Sequence, residues 1–321
     1  MHSDYDVIIA GGGLVGGSLA LALAQLSCRT ALVEAVLPDS ESQPSFDDRT
    51  IALSYGSCRI LRALGLWEYL LQQDSIWAIH KIHVSEQKRF GTALIDSAEQ
   101  GVPQLGYVIK SRDLGTAIWQ RLRDLNNVDL FCPGTVTATD CSAHARSIDL
   151  DSAANPAALA TKLLVVADGA RSRLRDALQI SAEHRDYEQV AIVANILVDK
   201  RKAGHVAYER FTAAGPIVML PGPQGQYTVV MAHRAEEAPQ VLDLSGDNFL
   251  SLVQDEFGYR LGRLSRVGNR SSYPLGLTTA DTLSAERAVL IGNAAHGLHP
   301  VAAQGFNLGL RDVACLAELI A

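Results

Sequence analysis

The chain has 321 residues, 48% of them hydrophobic and 20% charged, and carries a net charge of −7, which fits a globular protein large enough for two domains. Lys and Arg are scattered rather than massed on one element, so no basic field exists to hold nucleic acid. Five cysteines, Cys28, Cys58, Cys132, Cys141 and Cys315, are odd in number and form no C-x-x-C pair; they read as reduced cytosolic thiols, without a zinc or redox motif.

The first predicted element is "YDVIIA", a short apolar strand, followed by glycines and the helical run "SLALALAQL". The uncharged stretch Val7 to Leu26 approaches the roughly 20 residues of a membrane span. Asp4 and Asp6 stand where a signal peptide needs basic residues, and five glycines would weaken a spanning helix. Strand, turn and helix is the better reading, with Gly11, Gly13 and Gly16 in G-x-G-x-x-G. In that unit Gly11 permits the tight turn, Gly13 lets the backbone approach a pyrophosphate, and Gly16 lets helix pack on strand. The helix N-terminus then faces the phosphate charge. A second strand, "TALVE", ends in Glu34, 23 positions past Gly11, near the roughly 20 expected for a group that binds ribose hydroxyls. NAD and FAD both use this unit, so later segments must choose between them.

A polar loop, Pro38 to Asp48, leads into "FDDRTIALSYGS" with Arg49, and Ala78 to Ile95 alternates like a hairpin. "VIKSRDLGTAIWQRL" places Arg112 at a helix start, and "DSAANPAALAT", Asp151 to Thr161, reads as a surface loop. Lys162 to Leu178 is an apolar strand ending in Asp168-Gly169, with a basic helix after it. "QVAIVANILVD", "HVAYERF", "IVMLPG" and "QYTVVMAHR" are short strands split by turn residues, which predicts a mostly antiparallel sheet. The third apolar strand runs into "LIGNAAHGLHPVAAQGFN", where small residues leave backbone bare for a ligand. His296 and His299 are i, i+3, but "HGLHP" is not a helix, and nine histidines without a further cluster argue against a metal. No internal repeat interrupts this order, and the final helix stops without a Gly cap or Pro.

Together, G-x-G-x-x-G, the internal "ADG" and the late "GNAAH…HP…QGFNLGLRD" resemble the para-hydroxybenzoate hydroxylase family of FAD-dependent aromatic monooxygenases. "FDDRTIALSYGS", "YERFTAAGPIVMLP" and Asn293 are similar to its ubiquinone-biosynthesis branch, the 2-polyprenyl-6-methoxyphenol hydroxylases among them. The resemblance covers residues 5 to 321, with two departures: Asn293 stands where most members have Asp, and Ala303 where most have Gly. Asn keeps an acceptor for a ribityl hydroxyl, whereas a position with positive φ resists a Cβ.

The resemblance implies an α/β fold: a Rossmann-like (GR2-type) FAD domain, residues 1–76, 101–181 and 286–321, with an inserted, mostly antiparallel β-sheet substrate domain, residues 77–100 and 182–285. It carries over cofactor contacts at Gly11, Gly13, Gly16, Glu34, Arg49, Arg112, Asp168, Gly292, Asn293, Pro300, Gly305 and Asn307. The helix from about Gln304 would aim its N-terminal amides at the flavin. Arg49 would lie near flavin and pyrophosphate, where a guanidinium fork suits phosphate. No catalytic base is evident; Tyr208, Tyr273, His296 and His299 stay open.

The implied reaction is hydroxylation of a polyprenylated phenol by O2, through flavin reduced by NAD(P)H and a C4a-hydroperoxide, with the protein positioning the substrate and excluding water. With one G-x-G-x-x-G, NAD(P)H would bind only transiently. An isoprenoid tail implies a long apolar site and peripheral membrane association of a cytoplasmic protein at the inner membrane. Other ubiquinone-biosynthesis proteins and a second copy of the chain are further partners. Relatives continue past residue 321 with more helices, so the chain reads as truncated. A flavin halogenase should carry W-x-W-x-I-P, which Trp67, Trp77 and Trp119 do not form. A hydroxylase of a different aromatic compound, and a non-catalytic scaffold subunit that keeps the fold, both stay open.

Overall fold

The structure, a computed structural model, describes residues 3–38, 43, 49–73, 75–152, 157–199, 204–299 and 303–321. Strands β1 (Tyr5–Ala10), β2 (Thr30–Val33), β8 (Val128–Phe131), β11 (Ala157–Val166) and β18 (Ala288–Leu290) form a parallel sheet in the order β18-β11-β1-β2-β8. Their apolar runs are continuous because both faces are covered, as parallel sheets require. Val7, Ile9, Leu32 and Val165 face helices α1 (Leu14–Ala24), α4 (Ser111–Arg123) and α8 (Gly305–Ile320). Ile8, Val33, Leu164 and Val166 face the antiparallel branch β9 (Gly134–Cys141) and β10 (Arg146–Ser152), together with α5 (Arg173–Ala177). A two-residue strand, β17 (Ser284–Ala285), closes the edge beside β18.

The segment read as a surface loop, Asp151 to Thr161, is largely strand. Asp151 and Ser152 end β10, and Ala157–Thr161 pair with Arg146–Leu150 in β11; residues 153–156 lie outside the described residues. Ala-rich composition hid a strand whose hydrogen bonds go to a neighbour rather than to water.

A small antiparallel sheet, β3 (Thr50–Ser54), β7 (Gly106–Lys110) and β4 (Ile76–Ile79), carries α2 (Tyr55–Ala63) and α3 (Trp67–Gln72). The large second sheet has the order β19-β16-β12-β15-β14-β13-β5-β6. Its strands are β5 (Lys81–Glu86), β6 (Thr92–Asp96), β12 (Ala182–Leu197), β13 (Val206–Phe211), β14 (Pro216–Pro221), β15 (Gln226–Arg234), β16 (Arg266–Ala280) and β19 (His296–Gly297). All its pairings are antiparallel except β13 with β5. One face packs Ile192, Met219, Val229 and Met231 against α6 (Ala238–Leu242) and α7 (Gly246–Phe257). The opposite face meets the small sheet at one end through Ala207 and Leu220 on Ile79 and Val108. Farther along, the same face presents Ala191, Ala232 and Leu275. The expected boundary at 76/77 falls inside β4, and β19 joins the third motif to the large sheet by pairing with Thr278 and Thr279.

Candidate functional site

β1, β11 and β18 end side by side, which is where open α/β sheets bind ligands. At the end of β1, Gly11 has φ +108°, and a Cβ there would run into the Ala167 carbonyl; one on Gly16 would run into the carbonyl of Gly11. Strand and helix are therefore as close as two backbones allow. Gly13 is the N-cap of α1, supplies no side-chain cap, and no acidic residue sits in the first turn. The positive end of the helix dipole is left for an anion.

Glu34, nine-tenths buried just past β2, reaches back to this turn. Its Oε2 accepts the Gly12 amide at 2.6 Å and its Oε1 the Val36 amide at 2.9 Å. From α4, the buried Trp119 indole donates from Nε1 to the Gly12 carbonyl at 3.0 Å. The indole thus fixes the turn from the opposite side, a contact the sequence did not disclose.

Asp168 follows β11, with the adjacent Ala167 amide bonded to Ala10 O at 2.8 Å. The residue is open to solvent overall, but its carboxyl leans over the packed start of α5. Its Oδ2 accepts the Leu174 amide at 3.5 Å. Burial of the carboxyl raises its pKa against the opposing hydrogen bonds from Ser172 and Leu174. Arg175, buried in α5, donates from Nη1 to Ala294 O at 3.2 Å and lies 3.4 Å from Ala170 O. It ties the Asp168 loop to the third motif.

In that motif Gly292 has φ +57°, and its amide donates to Asp312 Oδ2 at 2.9 Å. His296 Nε2 lies 2.8 Å from the same oxygen, and this hydrogen bond raises the imidazole pKa. Asn293 is exposed at the strand ends. Ala303 has φ +50°, the left-handed region that favours glycine. Gly305 is the first residue of α8, whose N-cap, Gln304, offers no side-chain cap.

The side-chain amide of Asn307 uses its hydrogen-bonding capacity within the protein. The buried amide donates to Ala52 O at 2.9 Å and Ala303 O at 2.6 Å, and accepts from Ser54 N at 2.8 Å and Ser57 Oγ at 2.6 Å. It clamps the start of α8 to the β3–α2 corner.

Arg49 sets its guanidinium 4.6 Å from the centre of the Tyr273 ring, and its carbonyl accepts the Ser111 amide at 2.8 Å. Arg112, exposed in the first turn of α4, is the next residue along. Pro300 and the acidic pair of "FDD" lie outside the described residues.

On the face of the large sheet turned away from α7 lies an open recess. Ala191, Pro216, Val218, Val230, Ala232 and Leu275 line it with His299, whose ring meets Tyr187 edge-on at 5.3 Å. Burial lowers the His299 pKa, which favours the neutral imidazole. Tyr208 is set apart from this recess. It packs on Phe257 at 5.4 Å, on the α7 side of the sheet, with its hydroxyl pKa raised by burial. Tyr273 lies under Arg49. Among the described residues no cluster could hold a metal ion.

A family model described as an FAD binding domain matches residues 4–321. The ubiquinone hydroxylase UbiL of Rhodospirillum rubrum is 36% identical over 315 residues, covering 98% of this chain and 71% of that protein. The 3-demethoxyubiquinol 3-hydroxylase of Escherichia coli is 30% identical over 326 residues, covering 99% and 80%. The structure of PqsL of Pseudomonas aeruginosa with 2-aminobenzoylacetate superposes with a TM-score of 0.80 at 21% identity, covering 98% and 85%. The flavin-dependent halogenase CmlS reaches 0.79 at 18% identity, covering 99% of this chain and 58% of that one. The shared fold thus hosts more than one chemistry.

Proposed function

The chain belongs to the FAD-binding monooxygenase family, and from that premise we propose that it hydroxylates the ring of a polyprenylated phenol in ubiquinone biosynthesis, using NAD(P)H and O2. The observation that carries this reading is the 36% identity to a ubiquinone hydroxylase along 98% of the chain.

The strand ends fit FAD. A glycine turn that a Cβ would block, an uncapped helix start and a carboxylate at the end of β2 are what a dinucleotide's pyrophosphate and ribose need. We assign Gly11, Gly13, Gly16 and Glu34 to that half of the cofactor. Asp168, Gly292, Asn293 and the first amides of α8 go to the half bearing the ring, with Arg49 and Arg112 flanking it. Residues 1–76, 101–181 and 286–321 make the cofactor domain, and 77–100 with 182–285 the substrate domain. Bound FAD supplies the two-electron chemistry that activates dioxygen. The chain's own part is to hold the phenol in the apolar recess and keep water out. We assign contact with the phenolic hydroxyl to His299, the polar residue in the lining of that recess.

A peripheral place at the inner membrane and association with other ubiquinone-biosynthesis proteins or a second copy belong to the same reading. No helix among the described residues is long and apolar enough to cross a membrane. Titration with FAD should give a bound oxidised-flavin spectrum, and a prenylphenol should then accelerate NAD(P)H oxidation with formation of a hydroxylated product. Glu34→Ala should weaken FAD binding at least tenfold, the scale of a hydrogen bond to a charged group. A protein that binds FAD and leaves every prenylphenol unchanged would be a scaffold or act on another compound.

A further inference from the structure

The end of the large sheet remote from β19 carries large apolar side chains in solvent. Phe90, in the β5–β6 turn, is 109% exposed and Tyr259, just past α7, is 72% exposed; Leu94 and Phe211 are also exposed. Backbone contacts gather them at one place. The Gln87 amide donates to Phe211 O at 2.8 Å, which sets Phe211 beside the turn. Gln87 Nε2 donates to Asp255 O at 3.4 Å, which brings the end of α7, and so Tyr259, to the same turn. Leu94, paired with His83, shares the α7 face, and Phe211 shares the opposite face with Ala207.

Cations are interspersed among them. Lys88 and Arg89 flank Phe90 in the turn, and Arg260 follows Tyr259. The acidic neighbours are Glu86, 3.5 Å from Arg89, and the exposed Asp255 near the end of α7. Exposed apolar residues grouped in this way mark an interaction surface. Aromatic tips mixed with Lys and Arg have the composition of a surface seated among anionic headgroups. The patch is also continuous with the recess. Phe211 pairs directly with Pro216 across β13–β14, so the two share a face and lie about 5 Å apart, and Pro216 lines the recess.

We propose that this end of the sheet is the surface by which the protein sits on an anionic phospholipid bilayer, with the substrate's isoprenoid tail leaving the recess over Phe211 toward Phe90. The tail's route rests on the function proposed above; the docking surface stands on its own residues. The test is sedimentation of the FAD-loaded chain with vesicles of phosphatidylcholine, with and without phosphatidylglycerol. The wild type should bind the anionic vesicles and only weakly the neutral ones. Phe90→Ser should lower vesicle affinity about tenfold, the scale of burying one aromatic side chain. Lys88→Glu with Arg89→Glu should remove the preference for anionic lipid. Because these side chains are exposed, both variants should keep wild-type turnover of a water-soluble phenol with a short tail. A wild type that stays in the supernatant, or variants that bind as it does, would overturn the docking surface. Vesicle binding without hydroxylation of any prenylphenol would uphold the surface while sinking the proposed function, and hydroxylation without vesicle binding would do the reverse.

Discussion

Ala303→Gly should make the protein more stable, although Ala→Gly is destabilising at most positions. Ala303 has φ +50°, and holding an L-residue in the left-handed region costs about 1–2 kcal/mol. Glycine removes that term but gives the unfolded chain more freedom, which offsets about 0.4–1 kcal/mol. The net gain is roughly 0.5–1 kcal/mol, or a rise of about 1–3 °C in melting temperature for a chain of this size. The Ala303 carbonyl keeps its bond from Asn307 Nδ2, since the substitution leaves the backbone path unchanged. Ala303→Val should move the other way, because a β-branched side chain is strained further there. The assay is thermal and urea unfolding of the FAD-loaded protein, followed by release of flavin fluorescence. If Ala303→Gly lowers stability by about 0.5–1 kcal/mol, as in an ordinary right-handed position, the backbone at the start of α8 differs from this account.

Asn307→Ala should destabilise by about 2–4 kcal/mol and weaken FAD binding, because it strands the Ser54 amide and the Ala52 and Ala303 carbonyls; a urea curve and an FAD titration would show wild-type values if the clamp is idle. His296 is held above its ordinary value of 6.5 by the hydrogen bond to Asp312. Its protonation therefore stabilises the fold fully below about pH 6.5, and that contribution is lost as pH rises through the folded value. The stability gap between wild type and His296→Gln should shrink toward alkaline pH, and a gap that widens would contradict the pairing. His299→Ala should leave the flavin spectrum intact while product formed per NAD(P)H consumed falls about tenfold or more; unchanged coupling would remove His299 from contact with the phenol.

The parts legible in the sequence are those whose cause is local. Gly11, Gly13, Gly16 and Glu34 fall within one β-α-β unit, so composition and spacing reveal their arrangement. Alternation likewise discloses the antiparallel strands of the large sheet. The unread parts are contacts between residues far apart in the chain. Trp119 meets Gly12 across 107 positions, Asn307 meets Ser57 across 250, and Arg175 joins Ala294 across 119. Nothing in the near neighbours of any of them signals its partner. The "LRD" ending of the third motif offered the one visible hint, since its Asp312 proves to be the acceptor for Gly292 and the partner of His296. The recess was also hidden, because its walls come from β12, β14, β15 and β16, which are spread along the sequence, and His299 joins them from the segment after β19.

The most direct test of the central claim is to supply the FAD-loaded protein with NAD(P)H, a prenylated phenol and isotopically labelled dioxygen, and to analyse the phenol by mass spectrometry. The account predicts one labelled oxygen atom in the aromatic ring of the product. NAD(P)H consumption in which all the label appears as hydrogen peroxide or water, with every prenylphenol recovered unchanged, would contradict it.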